Sequence, residues 1–155
     1  MKKLVLSLMA VMALCACQKT ERAPFNYRGL AFDLPVDQFV DSMQARGFAV
    51  DSAASDSGRT VVLASPDVHY RVLAAFNEQQ LQVVQETYTL STNDSTRQLW
   101  QQMRDDFEKE LGAWPNMPKH GDDHKVAKFE TEGGFITLAL ENTYTPTLQV
   151  LYEKK

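Results

Sequence analysis

Six short segments of this chain alternate apolar and polar residues, and several are joined by links too short for anything but a hairpin. They are VVLAS (61–65), VHYRVLAAF (68–76), LQVVQETY (81–88), KVAKFETE (125–132), FITLALEN (135–142) and LQVLYE (148–153). A period of two sends successive side chains to opposite faces of a strand, one face toward a core and the other toward water. Asn77-Glu78-Gln79-Gln80 and Glu132-Gly133-Gly134 read as hairpin connections, and Asp56-Ser57-Gly58 marks a further turn. Links this short force antiparallel neighbours.

Two stretches follow the helical period instead. From Val36 to Phe48 the apolar residues are Val36, Phe39, Val40, Met43 and Phe48, and Gly47 is the stop. From Ser95 to Leu111 the stripe is Leu99, Trp100, Met103, Phe107 and Leu111, which predicts that Leu99, Met103 and Phe107 are buried together. Ser95 with Gln98 forms a capping box, Gly112 is the stop, and Pro115 forbids continuation. Arg104 with Glu108 and Asp105 with Lys109 lie four apart on the solvated side.

The two halves match in order: a helix ending in glycine near an aromatic (RGF at 46–48, LGAW at 111–114), then hairpin-linked strands. This predicts a tandem repeat of an α-then-β unit, spanning 25–90 and 91–155, within one domain covering 25–155. The fold class expected is α+β: an antiparallel sheet with two helices packed on one face.

Cysteine placement adds a separate constraint. Both cysteines of the chain, Cys15 and Cys17, fall at the end of an apolar run from Leu4 to Leu14 that follows Lys2 and Lys3. The run has the layout of a secretory signal and is too short to span a bilayer as a permanent helix. Residues 14–17, L-C-A-C, resemble the lipobox of bacterial lipoproteins, with Leu14 three residues before Cys17 and the small Ala16 immediately before it. Cys15 does not fit, because the residue before it is the large Leu14. The resemblance implies a signal peptide over 1–16, lipidation of Cys17, and a lipidated tether over 17–24. Several acyl chains make a stable membrane anchor where one is marginal. Gln18 after the cysteine, where aspartate would favour retention in the inner membrane, points to the outer membrane. No free thiol then remains, so disulfides, thiol catalysis and cysteine metal sites are excluded and the domain relies on its core.

Loss of Lys2 and Lys3 with the signal leaves 14 basic groups against 20 acidic, a net charge of −6 on about 138 residues, a normal size for one core. The basic residues are scattered, which excludes nucleic acid as a partner.

The opening YRGLAFDLPVDQFVDSMQARGF (27–48) resembles that of small secreted bacterial domains of the PepSY-like and β-lactamase-inhibitor-protein-like type: a glycine, a short apolar stretch, then a helix ending in a glycine-aromatic pair. That resemblance implies a binding or inhibitory scaffold and carries no catalytic residues.

The sharpest chemical constellation is HGDDH, in which His120, Asp122, Asp123 and His124 are weak candidate ligands for zinc or another divalent ion. Neighbouring ligands in one loop rarely converge tetrahedrally, so the preferred reading is a solvated polar loop. His69 reads as a strand residue on the sheet surface. Asp105 and Asp106, like Glu108 and Glu110, are adjacent or nearly so on a helix and diverge. There is no GxSxG elbow, SxxK or glycine-rich phosphate loop, and Gly133-Gly134 reads as a turn. Among the aromatics, Trp100 belongs to the core. Trp114, Tyr144 and Tyr152 are candidates for an interaction surface, with Tyr144 in the polar NTYTPT loop foremost.

The sequence therefore predicts a non-enzymatic, outer-membrane-anchored lipoprotein that requires no cofactor and binds another protein in the cell envelope. Its competitors are an accessory of outer-membrane assembly or envelope stress, and a metal-binding protein using the 120–124 loop. The partners expected are the membrane, through the lipid, and a protein.

Overall fold

The computed structural model describes residues 25–56, 58–67 and 69–155. The expected signal peptide (1–16), Cys17 and the expected tether (17–24) lie outside the described residues. The chain opens with a small hairpin, β1 (Asn26–Tyr27) and β2 (Leu30–Ala31), followed by helix α1 (Val36–Ala45). Strands β3 (Ala49–Val50), β4 (Thr60–Ala64), β5 (Tyr70–Asn77) and β6 (Gln80–Thr89) come next. Helix α2 (Asn93–Leu111) then leads to β7 (Asn116–His120), β8 (His124–Glu130), β9 (Gly134–Glu141) and β10 (Thr147–Lys154).

Strands β3 to β10 form one antiparallel sheet in the order β3-β4-β5-β6-β10-β9-β8-β7. Each half is a helix followed by four strands that meander outward-in, so the last strands of the two halves, β6 and β10, pair at the centre. The fold is α+β, as the alternating segments and short links require.

Period-two patterning selects the buried face. One row across the sheet is Leu63, Val72, Glu86, Val150, Leu138 and Ala127; the next is Val61, Ala74, Val84, Tyr152, Ile136 and Phe129. All twelve are buried. Both helices sit on this face. Phe39 of α1 meets Phe76 edge-on at 5.7 Å, and Phe107 of α2 lies 5.7 Å from Phe129 and 6.2 Å from Tyr152. The β1–β2 hairpin wedges onto the same face, where Tyr27 sits 6.2 Å from Phe39 and 5.2 Å from Tyr152. Among the described residues, no helix lies over the opposite face.

Several local expectations are corrected. Helix α2 begins a turn earlier than Ser95: Thr92 is its cap, accepting the Ser95 N–H at 3.1 Å, so the Ser95–Gln98 box is not the cap used. Its far end closes at Gly112, whose φ of +60° favours glycine. Helix α1 closes when the Phe48 N–H reaches back to the Met43 carbonyl at 3.1 Å, with Gly47 at φ +88°. Leu99, Met103 and Phe107 pack on the core but are only half-buried, because α2 lies along β9 and β10 with no described element over its flank; Trp100 and Thr96 are its buried residues. His69 is in the turn before β5, not in the strand. Strand β7 was not foreseen, since NMPKH does not alternate and contains a proline.

Candidate functional site

The buried row across the sheet is apolar except at one position. Glu86, at the middle of β6, is fully buried between Val72 and Val150. An unpaired carboxylate there would be costly. Instead five hydrogen bonds converge on it. Its Oε1 accepts from Tyr27 Oη at 2.8 Å, Tyr70 Oη at 2.8 Å and Arg28 Nε at 2.6 Å. Its Oε2 accepts from Arg28 Nη2 at 3.1 Å and Tyr88 Oη at 2.9 Å. The Tyr70 and Tyr88 rings stack with centroids 4.7 Å apart.

Burial, and then the charge of Glu86, push the hydroxyls of Tyr27, Tyr70 and Tyr88 far above the usual tyrosine range. Burial alone would lower the Arg28 pKa, but its hydrogen bond and charge contact with Glu86 more than reverse that. All five donors come from within the protein. The cluster is a polar pin that holds the β1–β2 hairpin to the centre of the sheet. Sequence reasoning missed Glu86, Arg28, Tyr27, Tyr70 and Tyr88 as a set.

The HGDDH segment is a tight hairpin rather than a free loop: His120 ends β7, His124 begins β8, and both are exposed. Asp123 is committed to protein partners. Its Oδ1 accepts from Arg97 Nη2 at 2.6 Å and from Asn142 Nδ2 at 3.3 Å. Asn142 is itself buried and accepts from Thr96 Oγ1 at 2.7 Å. The Arg97 hydrogen bond holds the Asp123 carboxyl below its ordinary range. The hairpin is thus tied to the first turn of α2, with Arg97 also reaching Asp94 at 2.7 Å. Among the described residues, no three His, Cys, Asp or Glu side chains converge on a point that would hold a metal.

The aromatic candidates separate cleanly. Trp100 and Tyr152 are core, whereas Tyr144 is 102 % exposed and Trp114 86 % exposed. On the uncovered face of the sheet, Tyr144 borders an open depression of about 280 Å³ lined by Ala139, Glu141, Thr143, Thr145, Thr147 and Gln149. Across that face run the rows Leu73, Gln85, Leu151, Thr137 and Lys128, and Arg71, Thr87, Gln149, Ala139 and Val126. Half of these side chains are small, hydroxylic or amide, Leu73, Leu151 and Val126 add apolar surface, and Arg71 and Gln149 stand exposed. Such a face offers hydrogen bonding and shallow apolar contact. The chain matches no protein-family model, no curated protein and no solved structure.

Proposed function

We propose that this chain is a non-enzymatic lipoprotein of the bacterial outer membrane, held by acyl chains on Cys17, whose uncovered sheet face binds another protein. The observation that supports this reading is the one-sidedness of the fold: both helices and the β1–β2 hairpin pack on one face, and among the described residues no helix covers the other. Val62 of β4, on the same side as Leu73, is buried, so the open area runs over β5, β6, β10, β9 and β8, about 19 Å at the usual strand spacing by about 26 Å for eight residues. The resulting patch, on the order of 500 Å² before side-chain relief, is more than half of the roughly 800 Å² that each partner contributes to a standard interface. Tyr144 at its end is the kind of residue that anchors such contacts. Among the described residues no helix is long and apolar enough to cross a membrane. In this reading the attachment is the lipid on Cys17.

A photocrosslinking residue placed at Gln149 on the open face, and separately at Asp106 on the exposed side of α2, tests the proposal in intact cells. A single discrete adduct from position 149, absent from position 106, is expected. Equal labelling from both positions, or none from 149, overturns it.

A further inference from the structure

The sheet has two distinct ends, and the chain leaves toward its tether at only one of them. Phe25, the first described residue, packs its ring against Gly133 and Gly134 so closely that a Cβ at Gly134 would fall on it. Gly134 begins β9, pairs with Lys154 at the close of β10, and lies beside the Lys155 N–H bond to the Gly133 carbonyl at 3.1 Å. The β5–β6 turn, the β8–β9 turn and the close of β10 all share this end. Tyr144 and the HGDDH hairpin lie at the other, roughly 26 Å away along eight-residue strands.

Trp114 belongs to the tether end. It precedes Asn116, the first residue of β7, which pairs with Lys128; Lys128 in turn pairs with Thr137, close to Gly134. Two strand spacings, about 10 Å, separate β7 from β9. The indole is 86 % exposed, whereas the chain's other tryptophan is 1 % exposed. Residues 18–24 reach at most about 24 Å when fully extended, which confines this end of the domain to the vicinity of the bilayer.

From this placement we infer that Trp114 is a membrane-interface contact: its ring enters the headgroup layer beside the acyl anchor and stands the domain end-on, with Tyr144 at the end far from the bilayer and the open sheet face rising along the membrane normal. Tryptophan suits that layer because its body is apolar and its N–H needs a polar partner. Lys109 and Lys154 at this end are offset by Glu110 and Glu132, and the whole chain is acidic, so the contact depends on the ring rather than on anionic lipid. The inference rests on the proposed lipidation of Cys17.

The test uses the full chain, purified in detergent with its anchor and reconstituted into vesicles of phosphatidylcholine with or without brominated acyl chains. The emission difference between the wild type and Trp114→Phe isolates Trp114, since the buried Trp100 is common to both. Loss of most of the Trp114 emission in brominated vesicles, with a blue shift in unbrominated ones, is expected. In the Trp114→Phe background, Tyr144→Trp should stay unquenched. Mass measurement of the same preparation reports acylation of Cys17. An acylated protein whose Trp114 emission is unquenched overturns the interface contact and leaves the anchor standing. Equal quenching at position 144 overturns the end-on orientation. A chain without acyl groups on Cys17 overturns the anchor and this inference together.

Discussion

Arg28 grips Glu86 as a fork, Nε to Oε1 at 2.6 Å and Nη2 to Oε2 at 3.1 Å, although the guanidinium is half exposed and the carboxylate fully buried. Arg28 also holds a left-handed backbone, φ +49°, ahead of Gly29 at φ +84°. The β1–β2 turn is therefore shaped to deliver that side chain to the centre of the sheet, and the strained φ is offset by the bonds it permits.

Arg28→Ala should be more damaging than an ordinary surface substitution. It strips two of five donors from a buried carboxylate. Breaking a fully buried pair costs about 3–5 kcal/mol, and the half-exposed guanidinium scales this toward about 2 kcal/mol. Urea unfolding of Arg28→Ala, Glu86→Leu and the double variant measures the coupling. The double variant should lose less than the sum of the two singles, because it leaves no orphaned charge. Strict additivity would mean that the fork contributes nothing.

The tyrosines around Glu86 predict how the fold fails in alkali. Tyr27, Tyr70, Tyr88 and Tyr152 have folded pKa values raised, first by burial and then by the Glu86 charge. A raised folded pKa means that the unfolded chain loses protons first. Stability is then fully present below the unfolded tyrosine value, near 10, and falls as pH rises above it. Tyrosinate absorbance from these four residues should appear in one cooperative step with loss of far-ultraviolet circular dichroism. Ionisation of the four well before unfolding would contradict the burial.

Most of the sheet was legible because its inward positions keep period two across β5, β9 and β10. Glu86 was not, and the reason is local. Leu81 and Val83 set a phase that would turn Glu86 outward, but Ala75 pairs with Val83 while Phe76 pairs with Leu81. The extra residue at this bulge shifts the phase, so Val84 and Glu86 face inward. A charged residue two places after a buried valine was the available signal, and Val83 beside Val84 concealed it. Of the Glu86 partners, Tyr27 comes from a two-residue strand too short to show any period, and Arg28 from the turn that follows it. Tyr144 was legible for the opposite reason: a polar loop with a proline gives an aromatic ring nothing to pack on.

The half-burial of α2 sets what truncating Phe107 costs. Phe107 touches Phe129 and Tyr152 but keeps one side open to solvent. Phe107→Ala should thus cost about 2 kcal/mol, below the roughly 3–5 kcal/mol of a fully buried phenylalanine. Trp100→Ala, at a buried position of the same helix, should cost more. Chemical denaturation of the two variants ranks them, and the reverse order would show that the packing face of α2 is misassigned.

Gly134 is a position where space, not φ, dictates the residue. An added Cβ would meet the Phe25 ring and the Glu153 carbonyl oxygen. The backbone atom cannot yield without breaking the β9–β10 ladder, so Gly134→Ala should destabilise by about 1–3 kcal/mol as an overpacked site. Phe25→Ala combined with Gly134→Ala should recover only part of this loss, since the carbonyl remains. Full recovery would assign the whole clash to the ring.

The HGDDH hairpin separates a structural from a ligating role with three substitutions. Asp123 has a carboxyl pKa lowered chiefly by the Arg97 hydrogen bond. A depressed folded value contributes stability that is present above the unfolded aspartate pKa, near 3.9, and is lost as pH falls through the folded one. Asp123→Asn should therefore lower the Tm at pH 7 and narrow the gap to the wild type as the medium is acidified below that value. His120→Ala with His124→Ala, at two exposed positions, should leave the Tm at pH 7 unchanged. Zinc should raise the Tm of neither the wild type nor the double variant, because Asp123, beside His124, is already engaged by the Arg97 guanidinium. A zinc-dependent rise in Tm that disappears in the histidine double variant would show that Asp123 releases Arg97 to bind metal, and would restore the hairpin as a ligand site.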